Sequence, residues 1–342
     1  MQKAIVTRPG FFPQRIWAAC DFESSRSDVA WVGFYERDNI PSYPGNHTAL
    51  KARPVGSSRA RSLSIKPVCY PRMDRANRIY FRYFLTGAGT LEVELFNHDT
   101  NACHRTMVTG LNRGGWSEVT VDLGEVTAPD GRVIKEGERM GDLVITARSE
   151  PGMEDSCALI VDDIICFSGD QDHVESSTRP FPRRVICIWG FDVLEHYHPW
   201  AHTDYRVVRE GFSMVNRWGA AQALSRENKP GKRMRLVIAP PQHVGERTRL
   251  NFRYFLKGAS LFQVMIFDLT DRDNRHIVLK EVEQGAWQRA DLDFTADGIK
   301  NNGHQTPFNT GNLVDDIFFL FTSEEEAQLI IDDLVLYDAG YE

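Results

Sequence analysis

The sequence predicts an all-β protein built as two tandem domains from an internal duplication, and three observations carry that prediction. The segment Asn77–Phe96, NRIYFRYFLTGAGTLEVELF, is echoed 171 residues later by Thr248–Phe267, TRLNFRYFLKGASLFQVMIF. Within both copies the apolar period is two, the period of a half-buried strand. No stretch of twelve or more residues gives an amphipathic helix, and the nearest, Thr322–Ala327, is too short to stand alone.

The repeat holds well beyond its first segment. Gly114 and Trp116 meet Gly285 and Trp287, and Asp122 meets Asp293, all at 171 residues. Near the end the offset becomes 170, where CALIVDDIICF meets QLIIDDLVLYD and Asp162–Asp163 pairs with Asp332–Asp333. At the front it is 169, where DFE with Trp31 meets GFD with Trp200. Such a register is the mark of tandem duplication. The polar, proline-containing segment Ser168–Arg184 separates the copies, giving domain one at 14–170, a linker at 171–182 and domain two at 183–342.

Alternation assigns faces. Ile79, Phe81, Tyr83 and Leu85 alternate with Tyr80, Arg82 and Phe84; Leu91, Val93 and Leu95 alternate with Glu92 and Glu94; Val119, Val121 and Leu123 alternate with Glu118, Thr120 and Asp122. Gly87–Ala88–Gly89 and Gly258–Ala259–Ser260 stand where a tight connection between two strands is expected. The runs Leu159–Phe167 and Leu329–Tyr337 read as buried closing strands. Many short strands with regular turn signals predict a β-sandwich in each half.

At 342 residues the chain is long enough for two cores, and its 42% apolar and 25% charged composition is that of a folded globular protein. A net charge of −7 argues against nucleic acid or an anionic membrane as main partner, since both demand clustered positive charge. The basic clusters Arg53–Arg61 and Arg226–Arg235 contain Gly, Ser or Pro and read as solvated loops. No apolar run approaches the ~20 residues of a membrane span. Pro9 and Pro13 interrupt any signal-peptide core, so the chain reads either as cytoplasmic or as an extracellular or periplasmic protein whose signal was removed. The six cysteines, Cys20, Cys69, Cys103, Cys157, Cys166 and Cys187, form no CxxC pair, which argues against zinc. Free thiols are expected, with one or two disulfides in the first domain as the alternative.

Several short motifs resemble a known family. DFE at 21–23, TAL at 48–50, FRYFLTG, GGWSEVTVDL at 114–123 and the closing IVDDI, with GFD at 190–192, AQAL at 221–224 and GAWQRADLDF at 285–294, resemble carbohydrate-binding modules of the galactose-binding-like jelly-roll type. The resemblance implies a jelly roll in each half and a polysaccharide or oligosaccharide partner. It also implies a structural Ca²⁺ between the acidic residue after the first strand and an aspartate of the last. The matching residues are Glu23 with Asp162 or Asp163, and Asp192 with Asp332 or Asp333. An inward carboxylate is costly without a cation or a hydrogen-bonded partner, and the alternative is that these aspartates face solvent or cap a turn.

For a ligand, the outward set Tyr80, Arg82, Phe84, Glu92, Glu94, Trp116 and Glu118 mixes rings with charged forks, as sugar recognition requires. Asn251, Arg253, Phe255, Gln263, Met265, Trp287 and Arg289 form the equivalent set. Alternatively Trp116 and Trp287 pack under a loop, and Arg82–Glu94 is a cross-strand ion pair. The segment Glu195–Arg206, EHYHPWAHTDYR, has no histidine-bearing counterpart in the first domain. His196, His198, His202 and Tyr205 are its candidates for proton transfer, or the histidines for a transition metal, while Tyr197 and Trp200 suit sugar contact. An ordinary exposed loop is the plain alternative. No GxSxG elbow, P-loop, Rossmann fingerprint or HExxH is present. The expected function is non-catalytic polysaccharide binding by two tandem modules. A polysaccharide lyase or glycoside hydrolase using the His/Tyr-rich segment is the second reading, and a structural or assembly protein the third. Positions kept in both copies read first as scaffold, so function is sought where the copies disagree.

Overall fold

The computed structural model describes residues 15–22, 31–39, 48–56, 60–67, 70–73, 77–124, 126–168, 184–191, 204–208, 220–225, 231–300, 308–322 and 326–339. The chain forms two compact units that divide between Pro180 and Phe181. The first holds β1 (Arg15–Cys20), β2 (Trp31–Phe34), β3 (Glu36–Asp38), β4 (Ala49–Lys51), β5 (Arg53–Pro54), β6 (Ala60–Pro67), β7 (Asn77–Thr86), β8 (Leu91–Asn97), β9 (Ala102–Val108), β10 (Trp116–Asp122), β11 (Met140–Arg148) and β12 (Ala158–Ser168). The second holds β13 (Arg184–Trp189), β14 (Tyr205–Val208), β15 (Ala220–Ser225), β16 (Lys232–His243), β17 (Thr248–Lys257), β18 (Leu261–Asp268), β19 (Asp273–Lys280), β20 (Trp287–Asp293), α1 (Phe294–Asp297), β21 (Ile299–Lys300), β22 (Leu313–Phe321) and β23 (Gln328–Asp338). Among the described residues no helix is long and apolar enough to cross a membrane.

Strand order makes each unit a jelly roll. In the first, one sheet runs β10–β7–β12–β4–β3 with β1 on β12, and the other runs β2–β6–β11–β8–β9. In the second, the order β20–β17–β23–β15 continues through β16–β22–β18–β19–β21, with β13 on β23 and β14 on β15. Every pairing is antiparallel, and apart from the β8–β9 and β18–β19 hairpins successive long strands cross from one sheet to the other, as in a jelly roll. The duplication is therefore topological as well as sequential. We call β10–β7–β12 and β20–β17–β23 the tryptophan sheet of each unit, and β6–β11–β8–β9 and β16–β22–β18–β19 the second sheet.

Alternation sorted the inward faces as expected. Ile79, Phe81, Tyr83, Leu85, Leu91, Val93 and Leu95 all lie in one buried cluster, as do Leu250, Phe252, Tyr254, Leu256, Val264 and Ile266 in the second unit. It did not reveal sheet membership. Gly87–Ala88–Gly89 joins β7 in one sheet to β8 in the other, rather than closing a hairpin. Gly87 takes φ 65°, and a Cβ there would come within 2.8 Å of the Cys157 backbone, so only glycine fits that crossover.

The copies also share irregularities. β12 bulges between Asp162 and Ile165 against β7, and β23 bulges at the corresponding place against β17. Asp163 and Asp333 accordingly sit at φ 48° and 46°, and each backbone N–H donates to the preceding aspartate's Oδ1, at 2.8 and 2.9 Å. β1 and β13 are bulged as well. After them Phe22 and Phe191 adopt left-handed backbone at φ 57° and 54° with both rings buried. A bulky residue holds that conformation only where its surroundings over-determine it. The DFE and GFD motifs mark that buried turn.

The basic run Arg226–Arg235 corrects the loop reading at its end. Residues 232–235 belong to β16, with Arg233 and Arg235 on its outward face and Met234 and Leu236 in the core. In the first domain Arg53 lies in β5 and Arg61 in β6. Cys103, Cys157 and Cys166 are free thiols. Burial pushes the Cys166 and Cys157 thiols above the ordinary value, which leaves them protonated and unreactive at neutral pH.

Candidate functional site

The outer face of the tryptophan sheet gathers many of the residues expected to bind ligand. Opposed residues of an antiparallel pair share a face. Trp116 stands opposite Phe84, Glu118 opposite Arg82, and Asp162 opposite Arg82 on the other side. In the second unit Trp287 faces Phe255, Arg289 faces Arg253, and Asp332 faces Arg253. The ring pairs repeat in geometry, with centroids 6.2 Å apart at 63° for Phe84–Trp116 and 6.1 Å at 56° for Phe255–Trp287. Tyr80 lies on this face but is buried, its hydroxyl donating to Glu118 Oε2 at 2.9 Å. Burial, followed by the charges of Glu118 and Asp163, pushes that phenol far above its ordinary value. Tyr80 is thus a packed, neutral donor and not an open stacking surface.

Glu92 and Glu94 belong to the second sheet, so the expected Arg82–Glu94 pair does not form; Glu94 is bound to Arg105 at 2.5 Å. Gln263 and Met265 likewise belong to the second sheet of their unit. Asp162, Asp163, Asp332 and Asp333 are all buried at the shared bulge, and Asp333 lies 3.4 Å from Arg253. Among the described residues no group of three or more His, Cys, Asp or Glu is arranged to hold a metal. The remaining expected ligands, Glu23 and Asp192, lie outside the described residues, as do His196, Tyr197, His198, Trp200 and His202. Tyr205 is described and faces inward. Its ring packs on the second domain's core, 5.9 Å from that of Phe191 and edge-on to it.

The copies part company on the outer face of the second sheet. In the first unit one row reads Ser62, Thr146, Glu92, Met107 and the next Ser64, Val144, Glu94, Arg105. In the second unit the corresponding rows read Arg233, Leu320, Gln263, Val278 and Arg235, Phe318, Met265, His276. The first-unit face is satisfied from within. Ser62 and Thr146 hydroxyls are 2.8 Å apart, Arg148 Nε donates to Glu92 at 2.9 Å, and Arg105 Nε lies 2.8 Å from Glu92. Burial pushes the Glu92 carboxyl up, but the Arg148 hydrogen bonds and the charges of Arg105 and Arg148 outweigh it, so its value lies below the ordinary one. A depressed carboxyl contributes stability above its unfolded value and loses it as pH falls through the folded one. Glu92→Gln should therefore cost about 1–3 kcal/mol at neutral pH. Urea unfolding at successively lower pH should show that cost shrinking as the wild-type carboxyl protonates.

The second-unit face is half-exposed. Arg235 grips Asp316 through two bonds of 2.9 and 2.7 Å, and Arg233 pairs with Asp204. Both guanidiniums lie over the Phe318 ring, 5.8 and 6.0 Å from its centroid. Beyond Met265, His276 Nδ1 and Asn274 Oδ1 are shielded from solvent, with no hydrogen-bond partner among the described residues. Burial lowers the His276 imidazole, so the ring is neutral at pH 7 and has both a donor and an acceptor nitrogen. Sequence reasoning named Gln263 and Met265 but set them beside Arg253, and missed Arg233, Arg235, Phe318 and His276. The signal of this face was the period-two pattern of Leu313–Phe321 read together with alternate arginines at 233 and 235.

No protein-family model matches the chain, and no curated protein matches it. Solved structures do. The N-terminal tandem CBM22 domain of a Paenibacillus barcinonensis protein is 11% identical, with a TM-score of 0.28 over 97% of this chain and 100% of that one. A family 29 carbohydrate-binding module from Piromyces equi is 11% identical, with a TM-score of 0.28 over 47% of this chain and 93% of that one. Allantoicase from Saccharomyces cerevisiae is 8% identical, with a TM-score of 0.25 over 93% and 92%. The solved structures that the chain resembles include carbohydrate-binding modules and also whole enzymes, among them an agarase and a Paenibacillus xanthan lyase.

Proposed function

We propose that this chain is a carbohydrate-binding protein whose ligand, a hydroxyl-rich polymer, lies across the second sheet of the second domain. One observation carries the reading. On a single half-exposed face Phe318 and Met265 offer apolar contact, with the Arg233 and Arg235 guanidiniums held over the Phe318 ring. A sugar offers a C–H face for the apolar contacts and hydroxyls for the guanidinium donors, so one ligand answers both. Arg233 and Arg235 are held by carboxylates at their Nε and Nη2 atoms, which fixes the remaining N–H groups as rigid donors. The first domain fills the same rows with mutually satisfied Ser, Thr, Glu and Arg, and on this reading it supports rather than binds there.

Affinity electrophoresis of the intact chain against a panel of soluble plant, algal and microbial polysaccharides tests the proposal. At least one should retard the protein, Phe318→Ala should weaken that binding at least about tenfold, and Arg105→Ala on the first-domain face should leave it unchanged. Absence of retardation by the whole panel, or equal retardation of Phe318→Ala and wild type, would overturn it.

A further inference from the structure

The copies disagree again beside Phe318, in a way that bears on which glycans the proposed platform admits, so the inference drawn from it rests on that platform. Asp315 is the extra residue of a bulge in β22, where Phe267 and Val237 pair with Asp316 while Asp268 and Gln242 pair with Val314. In the first domain β11 loses register with β8 at the same place. Gly141 stands there, and a Cβ on it would come within 2.6 Å of the Phe96 ring. The scaffold therefore folds without a carboxylate at this bulge, and only the second domain has one. Burial, then the charge of Asp316, push the Asp315 carboxyl above its ordinary value, against the pull of Arg235.

The charges around Phe318 do not balance. Arg235 holds Asp316 through two bonds, Arg233 holds Asp204, and Arg235 also feels the charges of Asp315 and Asp204. Three carboxylates thus stand against two guanidiniums, while the His276 ring, lowered by burial, is uncharged at pH 7. Lys280 shares this face but stands four residues along β19 from His276, about 13 Å further on.

We infer that the platform takes uncharged polysaccharide, and that Asp315 is a specificity-determining residue whose carboxylate turns acidic chains away. Specificity is built by repelling the wrong ligand as well as by holding the right one. Guanidiniums already bonded to carboxylates keep their remaining N–H groups for hydroxyl oxygens. A uronate or sulfate laid on Phe318 meets the surplus negative charge inside the roughly 8–10 Å over which physiological salt leaves it unscreened.

Affinity electrophoresis of the intact chain in gels holding a neutral and an acidic polymer of one backbone tests this. The pairs are hydroxyethylcellulose with carboxymethylcellulose, arabinoxylan with glucuronoxylan, and methyl-esterified with de-esterified homogalacturonan, each judged against mobility in a polymer-free gel. In any pair that retards the protein, the neutral member should bind at least about threefold more tightly. Asp315→Asn, and Asp315→Gly with the first domain's residue at this bulge, should each narrow that gap by about threefold, chiefly by tightening the acidic member. Asp155→Asn, which removes the same charge from an exposed position of the first domain, should leave the gap as it is. An acidic member that binds as tightly as its neutral partner, or a gap that both Asp315 variants leave unchanged, overturns the inference and leaves the platform standing. No retardation by any neutral member overturns it as well, and the platform falls with it only if the wider polysaccharide panel also gives none.

Discussion

Phe252→Ala should destabilise the second domain by about 3–5 kcal/mol, the cost of deleting a fully buried aromatic and leaving a cavity. Phe252 is at the centre of an aromatic cluster, with ring centroids of Tyr254, Phe262 and Phe319 at 6.0, 6.3 and 5.1 Å. Those rings come from both sheets, so the loss is felt on both sides of the sandwich. The duplicated position, Phe81, is equally buried and has Tyr83 as its ring neighbour at 6.4 Å. Phe81→Ala should consequently fall toward the lower end of the same range. Urea unfolding of the two variants measures the difference directly.

Arg275→Ala should cost a comparable amount, about 3–5 kcal/mol, through charge rather than volume. Arg275 is fully buried, 2.6 Å from Asp271 and 3.3 Å from the equally buried Asp268, with the Phe308 ring 5.3 Å from its guanidinium carbon. Removing it leaves the buried Asp268 carboxylate with only neutral donors, the Asn312 amide at 2.8 Å and the Asp271 N–H at 3.0 Å among them. Asp271 retains Lys300 at 3.1 Å, so the penalty concentrates on Asp268. The first domain solves the same position without an ion pair. There the buried His104 reaches the Val126 carbonyl at 3.0 Å, and Asn97 stands where Asp268 does. Arg275→His combined with Asp268→Asn should therefore recover much of the stability lost in Arg275→Ala, measured in the same urea series.

The duplication was legible in the sequence because a repeat offset needs no knowledge of contacts. Period-two alternation then assigned Phe81, Tyr83, Val93 and Leu95 to the core. Sheet membership was not legible. Alternation says which residues share a side of one strand, whereas a jelly roll sends β7 and β8 into opposite sheets, which removed Glu92 and Glu94 from the face of Arg82. Arg233 and Arg235 were hidden for a related reason, since charges on the outward side of a strand look locally like a polar loop. The inward turn of Tyr205 was not legible either. That residue ends a histidine-rich segment, yet the short strand β14 turns its ring inward. The left-handed Phe22, Phe191, Asp163 and Asp333 carried no signal, because such strain is imposed by tertiary packing.

If the second sheet of the second domain is the glycan platform, hydroxyl-radical footprinting reads that face without a substitution. The intact chain would be oxidised alone and with the polysaccharide that retards it most strongly. Met265 and Phe318, half-exposed in the free protein, should be protected by the ligand, while Met107 on the corresponding first-domain face, 50% exposed, should react equally in both samples. Unchanged oxidation of Met265 and Phe318 in the presence of a bound polysaccharide would contradict the platform and move the binding site elsewhere on the chain.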